Sequence, residues 1–150
     1  MISIRHCQIA DLINAPNFKD ILNAYEDECA IPEFRNANPK MDVYYAAETL
    51  GKLLVIGAFC GDELAGILII VVTEFPHFNC LTATTESFFV DPAHRKNGTG
   101  RKMLSLAEEL AAQMGAKGLF MSAVADGRLE KAAPLMGFRK TNTQFFKVLN

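Results

Sequence analysis

Eight consecutive residues, Arg95-Lys96-Asn97-Gly98-Thr99-Gly100-Arg101-Lys102, set four cations around two glycines at a point where the residue pattern changes period. Upstream, Phe88, Phe89 and Val90 are strand formers, and Asp91-Pro92 ends their run because proline cannot donate to a sheet ladder. Downstream, Met103, Leu106, Ala107, Leu110 and Met114 recur at helical spacing, with Lys102, Glu108, Glu109 and Gln113 on the opposite face. A strand end and a helix start therefore meet across this turn. The first turn of a helix leaves its N–H groups without intrahelical partners and carries partial positive charge. Glycine at 98 and 100 permits unusual φ values and leaves room for a ligand against the main chain. A turn of this kind, ringed by side-chain cations, fits a diphosphate. It is not a Walker loop, since no Gly-Lys-Ser/Thr follows, nor a dinucleotide fingerprint, since the G-x-G-x-x-G spacing is missing.

Glu86 is the second candidate. It lies inside an apolar strand, on the face that regular alternation shares among Thr84, Glu86, Phe88 and Val90. A carboxylate there costs desolvation unless it is hydrogen-bonded or used, and a general base is one such use. The plain alternative is an edge-exposed glutamate or one paired with a lysine. His94 reads as a solvated loop residue. Cys7, Cys29, Cys60 and Cys80 are far apart, without C-x-x-C or a companion histidine spacing, so they read as buried free thiols of a reducing cytosol and not as metal ligands.

The elements that must position these residues follow from pattern. A chain of 150 residues suits a single domain over 1–150, and a 50% hydrophobic content excludes disorder. A formal charge of −2 with a pI near 5.9 gives no support to nucleic-acid binding. The longest apolar run, 64–73, is too short for a bilayer and reads as a buried strand, and no signal peptide begins the chain. Periodicity predicts strands over 2–9, 53–60, 63–74, 81–90, 118–125 and 144–149. It predicts helices over 17–30, from Asn38-Pro39 to Leu50, over 101–114 and over 126–136. Gly61-Asp62 marks a tight hairpin. A mixed sheet with helices on both faces buries that order.

Residues 95–100 match [Arg/Gln]-x-x-Gly-x-[Gly/Ala]. Val90-Asp91-Pro92 precedes them, an amphipathic helix follows, and Leu135-Met136-Gly137-Phe138 lies near the C-terminus. On these motifs, which cover the C-terminal half, the chain resembles the GNAT N-acetyltransferase superfamily. The resemblance implies a GNAT fold: a mixed, mostly antiparallel sheet of six to seven strands whose fourth and fifth members splay apart. It implies acetyl-CoA or another acyl-CoA as co-substrate, with no metal. The diphosphate would be held by Arg95, Lys96, Asn97, Gly98, Thr99, Gly100 and Arg101, and pantetheine would pair with the main chain of Phe88, Phe89 and Val90. Asp126 stands where many relatives place an Asn that touches the amide arm, and it also reads as a helix cap.

By the same resemblance Glu86 would take the proton of a primary amine attacking the thioester. The chain departs from the family at Ala133, where relatives carry a tyrosine that protonates the departing thiolate, and Pro134 follows it. Proline inside a helix removes a backbone bond and can cost ~3 kcal/mol, so a short or kinked helix is expected. Tyr44, Tyr45 or Ser122 could supply the acid, or the thiolate leaves unaided. A non-catalytic acyl-CoA binder on the same fold, and a nucleotide-phosphate domain of another family, are the alternatives. Glu26, Asp27, Glu28 and Glu33 could attract a cationic amine or form a solvated face, and Phe75, His77 and Phe78 could wall the acceptor or pack on the core. The acceptor is left as a small molecule or a protein, the compartment as cytoplasmic, and a homodimer through strand 144–149 as possible.

Overall fold

A computed structural model of the chain describes residues 1–35 and 38–150. Five strands, β1 (Ile2–Cys7), β2 (Leu53–Cys60), β3 (Glu63–Phe75), β4 (Cys80–Val90) and β5 (Leu119–Phe120), form one sheet in the order β1-β2-β3-β4-β5. The first four run antiparallel to their neighbours, and β5 is parallel to β4. The helices are α1 (Ile9–Ile13), α2 (Phe18–Cys29), α3 (Met41–Thr49), α4 (Thr99–Gln113) and α5 (Arg128–Ala132).

Both faces of the sheet are covered, which is why β2 and β3 read as almost unbroken apolar runs rather than alternating ones. Leu54, Ile56, Leu68 and Ile70 point to one side and pack with Met103, Leu104 and Ala107 of α4. Leu53, Val55, Ile67 and Ile69 point to the other, against Ile9, Leu12 and Ile21 of α1 and α2, with Met41 and Tyr44 of α3 at the border. Alternate residues of one strand thus feed two separate cores.

The mixed sheet flanked by helices on both faces is as expected, but it has five strands among the described residues rather than six or seven. Two of the differences share a cause: a strand exists only where a partner edge supports it. The stretch read as strand 118–125 pairs only at Leu119–Phe120, because the chain then turns away from β4. That leaves too short a template for residues 144–149, which join no strand, and Phe145 and Leu149 stay 90% and 87% exposed. The N-terminal strand stops at Cys7, where Gln8 and Asp11 close a reciprocal capping box that opens α1. The next helix boundary moves as well. Lys40, not Asn38, precedes α3, which begins where Met41 and Tyr44 reach the second core.

All four cysteines are free, and each is half-buried rather than fully so. The helix expected over 126–136 is broken as Pro134 requires, into α5 and a 3₁₀ turn at Ala133–Met136. Because Leu68 is sealed in the core while Phe145 stands in solvent, Leu68→Ala should lower unfolding free energy by about 2–5 kcal/mol and Phe145→Ala by no more than about 0.5 kcal/mol. Equal losses in urea titrations would contradict this placement of the two residues.

Candidate active site and anion nest

The pairing of β3 with β4 slips once. Ile69 faces Ser87 and Ile70 faces Thr85, so Glu86 is the extra residue of a β-bulge. The slip breaks the regular alternation expected from sequence. Thr84 lies opposite Val71 on the α1–α3 side, whereas Phe88 lies opposite Leu68 on the α4 side. Glu86 shares no common face with both, and it is exposed rather than buried. Its carboxylate turns to α3: Oε1 accepts from the Tyr44 hydroxyl at 2.7 Å, and Oε2 accepts from Ser87 Oγ at 2.8 Å.

Tyr25 of α2 borders the same carboxylate. Burial, with the negative charge of Glu86 adding to it, pushes the Tyr25 hydroxyl up to about 12. Burial and the hydrogen bond to Glu86 likewise raise Tyr44 above the usual tyrosine value. Both phenols therefore stay protonated at neutral pH, and Tyr44 serves as a donor that fixes the carboxylate. Each carboxylate oxygen has accepting capacity beyond the one bond it receives from these hydroxyls, so an approaching N–H can be met. Of the three side chains considered as acids, Tyr44 alone is bonded to Glu86. Tyr45 offers its carbonyl to Thr49, and Ser122 gives its N–H to Thr85 Oγ1 at 3.0 Å.

That last bond marks where two strands part. β4 and β5 pair at Ala83–Leu119 and Thr84–Phe120, and the next contact is made by a side-chain hydroxyl instead of the ladder. Beyond Thr84, β4 keeps a ladder partner on its β3 edge only. Asp91 N–H bonds the Ala65 carbonyl at 2.8 Å, so by antiparallel alternation Phe89 turns its N–H and C=O to β3, while Phe88 and Val90 turn theirs to the open edge.

At the end of β4 a 3₁₀ turn, Pro92–Asn97, leads to Gly98, whose φ of 71° is left-handed, and α4 begins at Thr99. The first helical bond runs from Lys102 N–H to Gly98 O at 3.0 Å. The N–H groups of Thr99, Gly100 and Arg101 thus lie ahead of the helical ladder, with no side-chain cap on them. A Cβ on Gly100 would sit 3.3 Å from the Phe88 ring, so the bare backbone keeps this corner shallow. Lys96, Asn97 and Lys102 are exposed around it. These residues fit a diphosphate: main-chain donors at a helix start with flanking cations.

Two of the cations have other work. Arg95 gives Nε to the Val90 carbonyl at 2.7 Å and Nη2 to Glu28 at 2.6 Å, and Arg101 gives Nη2 to the Leu135 carbonyl at 2.8 Å. Asp126 caps no helix. It has a left-handed φ of 62°, Gly127 precedes α5, and the Asp126 N–H is taken by Glu130. Two members of the acidic cluster are paired: Asp27 with Arg35 and Glu28 with Arg95. Phe75 stacks with His77 and with Phe120, 5.8 Å between centroids in each case, making an aromatic cap over the start of β4. Sequence reasoning missed Tyr25, although its position on the apolar stripe of α2, three residues before Glu28, was a visible signal. Among the described residues no group of three or more His, Cys, Asp or Glu is gathered to hold a metal, and no helix is long and apolar enough to cross a membrane.

The fold, a sheet that opens on one edge above a glycine-led helix start, is shared with solved acetyltransferases. The structure aligns over 100% of its length with 99% of glucosamine-6-phosphate N-acetyltransferase from Arabidopsis thaliana, at a TM-score of 0.75 and 13% identity. An aminoglycoside acetyltransferase from an uncultured soil metagenomic sample, solved with sisomicin, gives a TM-score of 0.74 and 18% identity over 99% of this chain and 97% of that one. The ribosomal-protein-alanine N-acetyltransferase of Brucella melitensis biovar Abortus 2308 gives 0.71 and 16% over 99% of each chain. No curated protein sequence matches the chain significantly. The chain belongs to the Acetyltransferase (GNAT) family, whose sequence model matches residues 16–138.

The tyrosine pair has a pH consequence. The folded values of Tyr25 and Tyr44 lie above the unfolded value of about 10, so their contribution to stability is complete below that pH. It is lost as pH rises through the folded values, the first near 12. Melting temperature should fall as pH climbs above about 10, and Tyr44→Phe should flatten that fall. An identical alkaline slope in the variant would contradict the Tyr44–Glu86 bond.

Proposed function

We propose that this chain is an acyl-CoA-dependent N-acyltransferase that moves an acetyl group to a primary amine. One observation carries the reading. The bulge that aims Glu86 lies on the same strand as the open-edge main chain of Phe88 and Val90, and that strand runs directly into the anion nest. Glu86 to Val90 is about 13 Å of strand at 3.3 Å per residue, a length that an extended pantetheine arm spans. Base, groove and nest are thus strung in the order that an acyl-coenzyme needs.

Bound acetyl-CoA would supply an activated thioester carbonyl and a thiolate leaving group. The protein's own part is placement and proton handling. Main-chain N–H groups at 99–101, with Lys96, Asn97, Gly98 and Lys102 about them, hold the diphosphate. Phe88 and Val90 offer the outward main-chain groups, Phe89 packs beneath, and Arg95 and Arg101 brace the loop. Glu86, held by Tyr44 and Ser87, accepts a proton from the amine as its nitrogen bonds to the carbonyl carbon. Ala133 offers no proton to the thiolate, and the Tyr44 hydroxyl is already engaged as a donor to Glu86, so the thiolate leaves with its proton drawn from solvent. The acceptors named for the similar structures, a sugar phosphate, an aminoglycoside and a protein alanine, have only an amine in common. That supports an amine as the acceptor class and nothing narrower.

A non-catalytic acyl-CoA binder is the second reading, and the alanine at 133 favours it. Incubation with acetyl-CoA and a broad amine panel separates the two: thiol release supports the transferase, and tight CoA binding with no turnover supports the binder. Stabilisation by ATP but not CoA would remove both. Glu86→Gln should cut kcat by about 10²-fold with CoA affinity unchanged, and Gly98→Asp with Gly100→Asp should abolish CoA binding in calorimetry. Retained affinity in the double variant would refute the nest.

A further inference from the structure

We propose that Arg95 is a positioning residue that locks the end of α2 to the anion nest, so that the wall beside Glu86 and the coenzyme loop move as one unit. The inference rests on the coenzyme reading above and concerns a residue that does not itself hold the diphosphate.

The last turn of α2 contains Glu26, Asp27 and Glu28 and no basic residue. A helix C-terminus carries partial negative charge, so acidic side chains there are unfavourable unless cations outside the helix offset them. Arg35 does so for Asp27, close in sequence. Arg95 does so for Glu28 across 67 positions, with the Arg95 side chain only 17% exposed. The same guanidinium group makes two further contacts. Its Nε donates to the carbonyl of Val90, one of the two outward-facing residues at the end of β4, and its Cζ lies 5.3 Å from the Phe89 ring centroid. Phe89 meets Tyr25 edge to face at 6.3 Å.

Tyr25 and Glu28 are three apart on α2 and therefore neighbours on one face. The first borders Glu86 and the second grips Arg95. One helical turn bears on both the proton acceptor and the loop. Arg95 lies three residues before Gly98, so its anchoring sets where the N–H groups of the nest point. Nε and Nη2 of one rigid planar fork reach the carbonyl and the carboxylate from fixed positions, a geometry that the single ammonium nitrogen of a lysine does not reproduce.

Glu28 is the residue to change, because it touches no part of the nest. If the pair acted only through charge, removing a carboxylate near an anion site would tighten CoA binding. If it positions the loop, Glu28→Gln should weaken CoA binding by about 5- to 10-fold, in the usual range of site-to-site coupling. Arg95→Lys should do the same, and Glu28→Gln should add nothing in an Arg95→Gln background. Calorimetry with CoA gives the dissociation constants, and a melting curve gives stability. A lowered melting temperature with unchanged or tighter CoA binding in Glu28→Gln would make the pair merely structural and overturn the proposal. Wild-type protein that does not bind CoA would instead overturn the coenzyme reading, and this inference with it.

Discussion

β4 has ladder partners on both edges as far as Thr84 and on one edge afterwards, and the candidate site depends on that asymmetry. A buried strand that loses a partner must find other donors and acceptors for its main chain. The chain meets the requirement unevenly. Thr85 uses its hydroxyl to hold Ser122, Val90 gives its carbonyl to Arg95, and Phe88 presents its main chain to the gap. The bulge at Glu86 falls just beyond the last β4–β5 pair, and its carboxylate reaches Tyr44 of α3 there.

The two cores divide the work. The α4 side is sealed by Met103, Leu104 and Ala107, and it fixes the helix whose start forms the nest. The α1–α3 side is looser at its rim, where Tyr25 and Tyr44 are only half-buried and place hydroxyls near Glu86. Phe89 belongs to this second core although its neighbours Phe88 and Val90 belong to the first. Through it, packing on the α2 side reaches the base of the anion loop. Electrostatics follow the same route: at the acidic end of α2, Asp27 and Glu28 pair with arginines, so these two charges act as anchors before they act as a field.

Residues beyond Met136 make few contacts with this frame. Phe146 meets Phe34 edge to face at 5.1 Å, and Lys140 reaches Glu130, but Phe145 and Leu149 face solvent. A five-residue α5 followed by a proline-led 3₁₀ turn offers little surface to pack against. The tail carries Phe145, Phe146, Val148 and Leu149 without a sheet edge to join.

Local patterning was enough to place the turn at 95–102 between strand and helix, since a change of hydrophobic period, a proline stop and left-handed glycine are properties of adjacent residues. It was enough for the four longer strands and for α2 and α4, whose apolar spacing is strong. It also showed the Pro134 break. What it could not supply depends on residues distant in the chain. The extra residue at Glu86 is defined only by what stands opposite it in β3, and the short β5 only by where β4 stops pairing. The roles of Tyr44, Tyr25 and Arg95 follow from partners 42, 61 and 67 positions away. A sequence carries its periodicity in neighbouring residues, but a carboxylate's donors and an arginine's acceptors are chosen by the packing of separate elements, and only the tertiary structure brings them within hydrogen-bond reach.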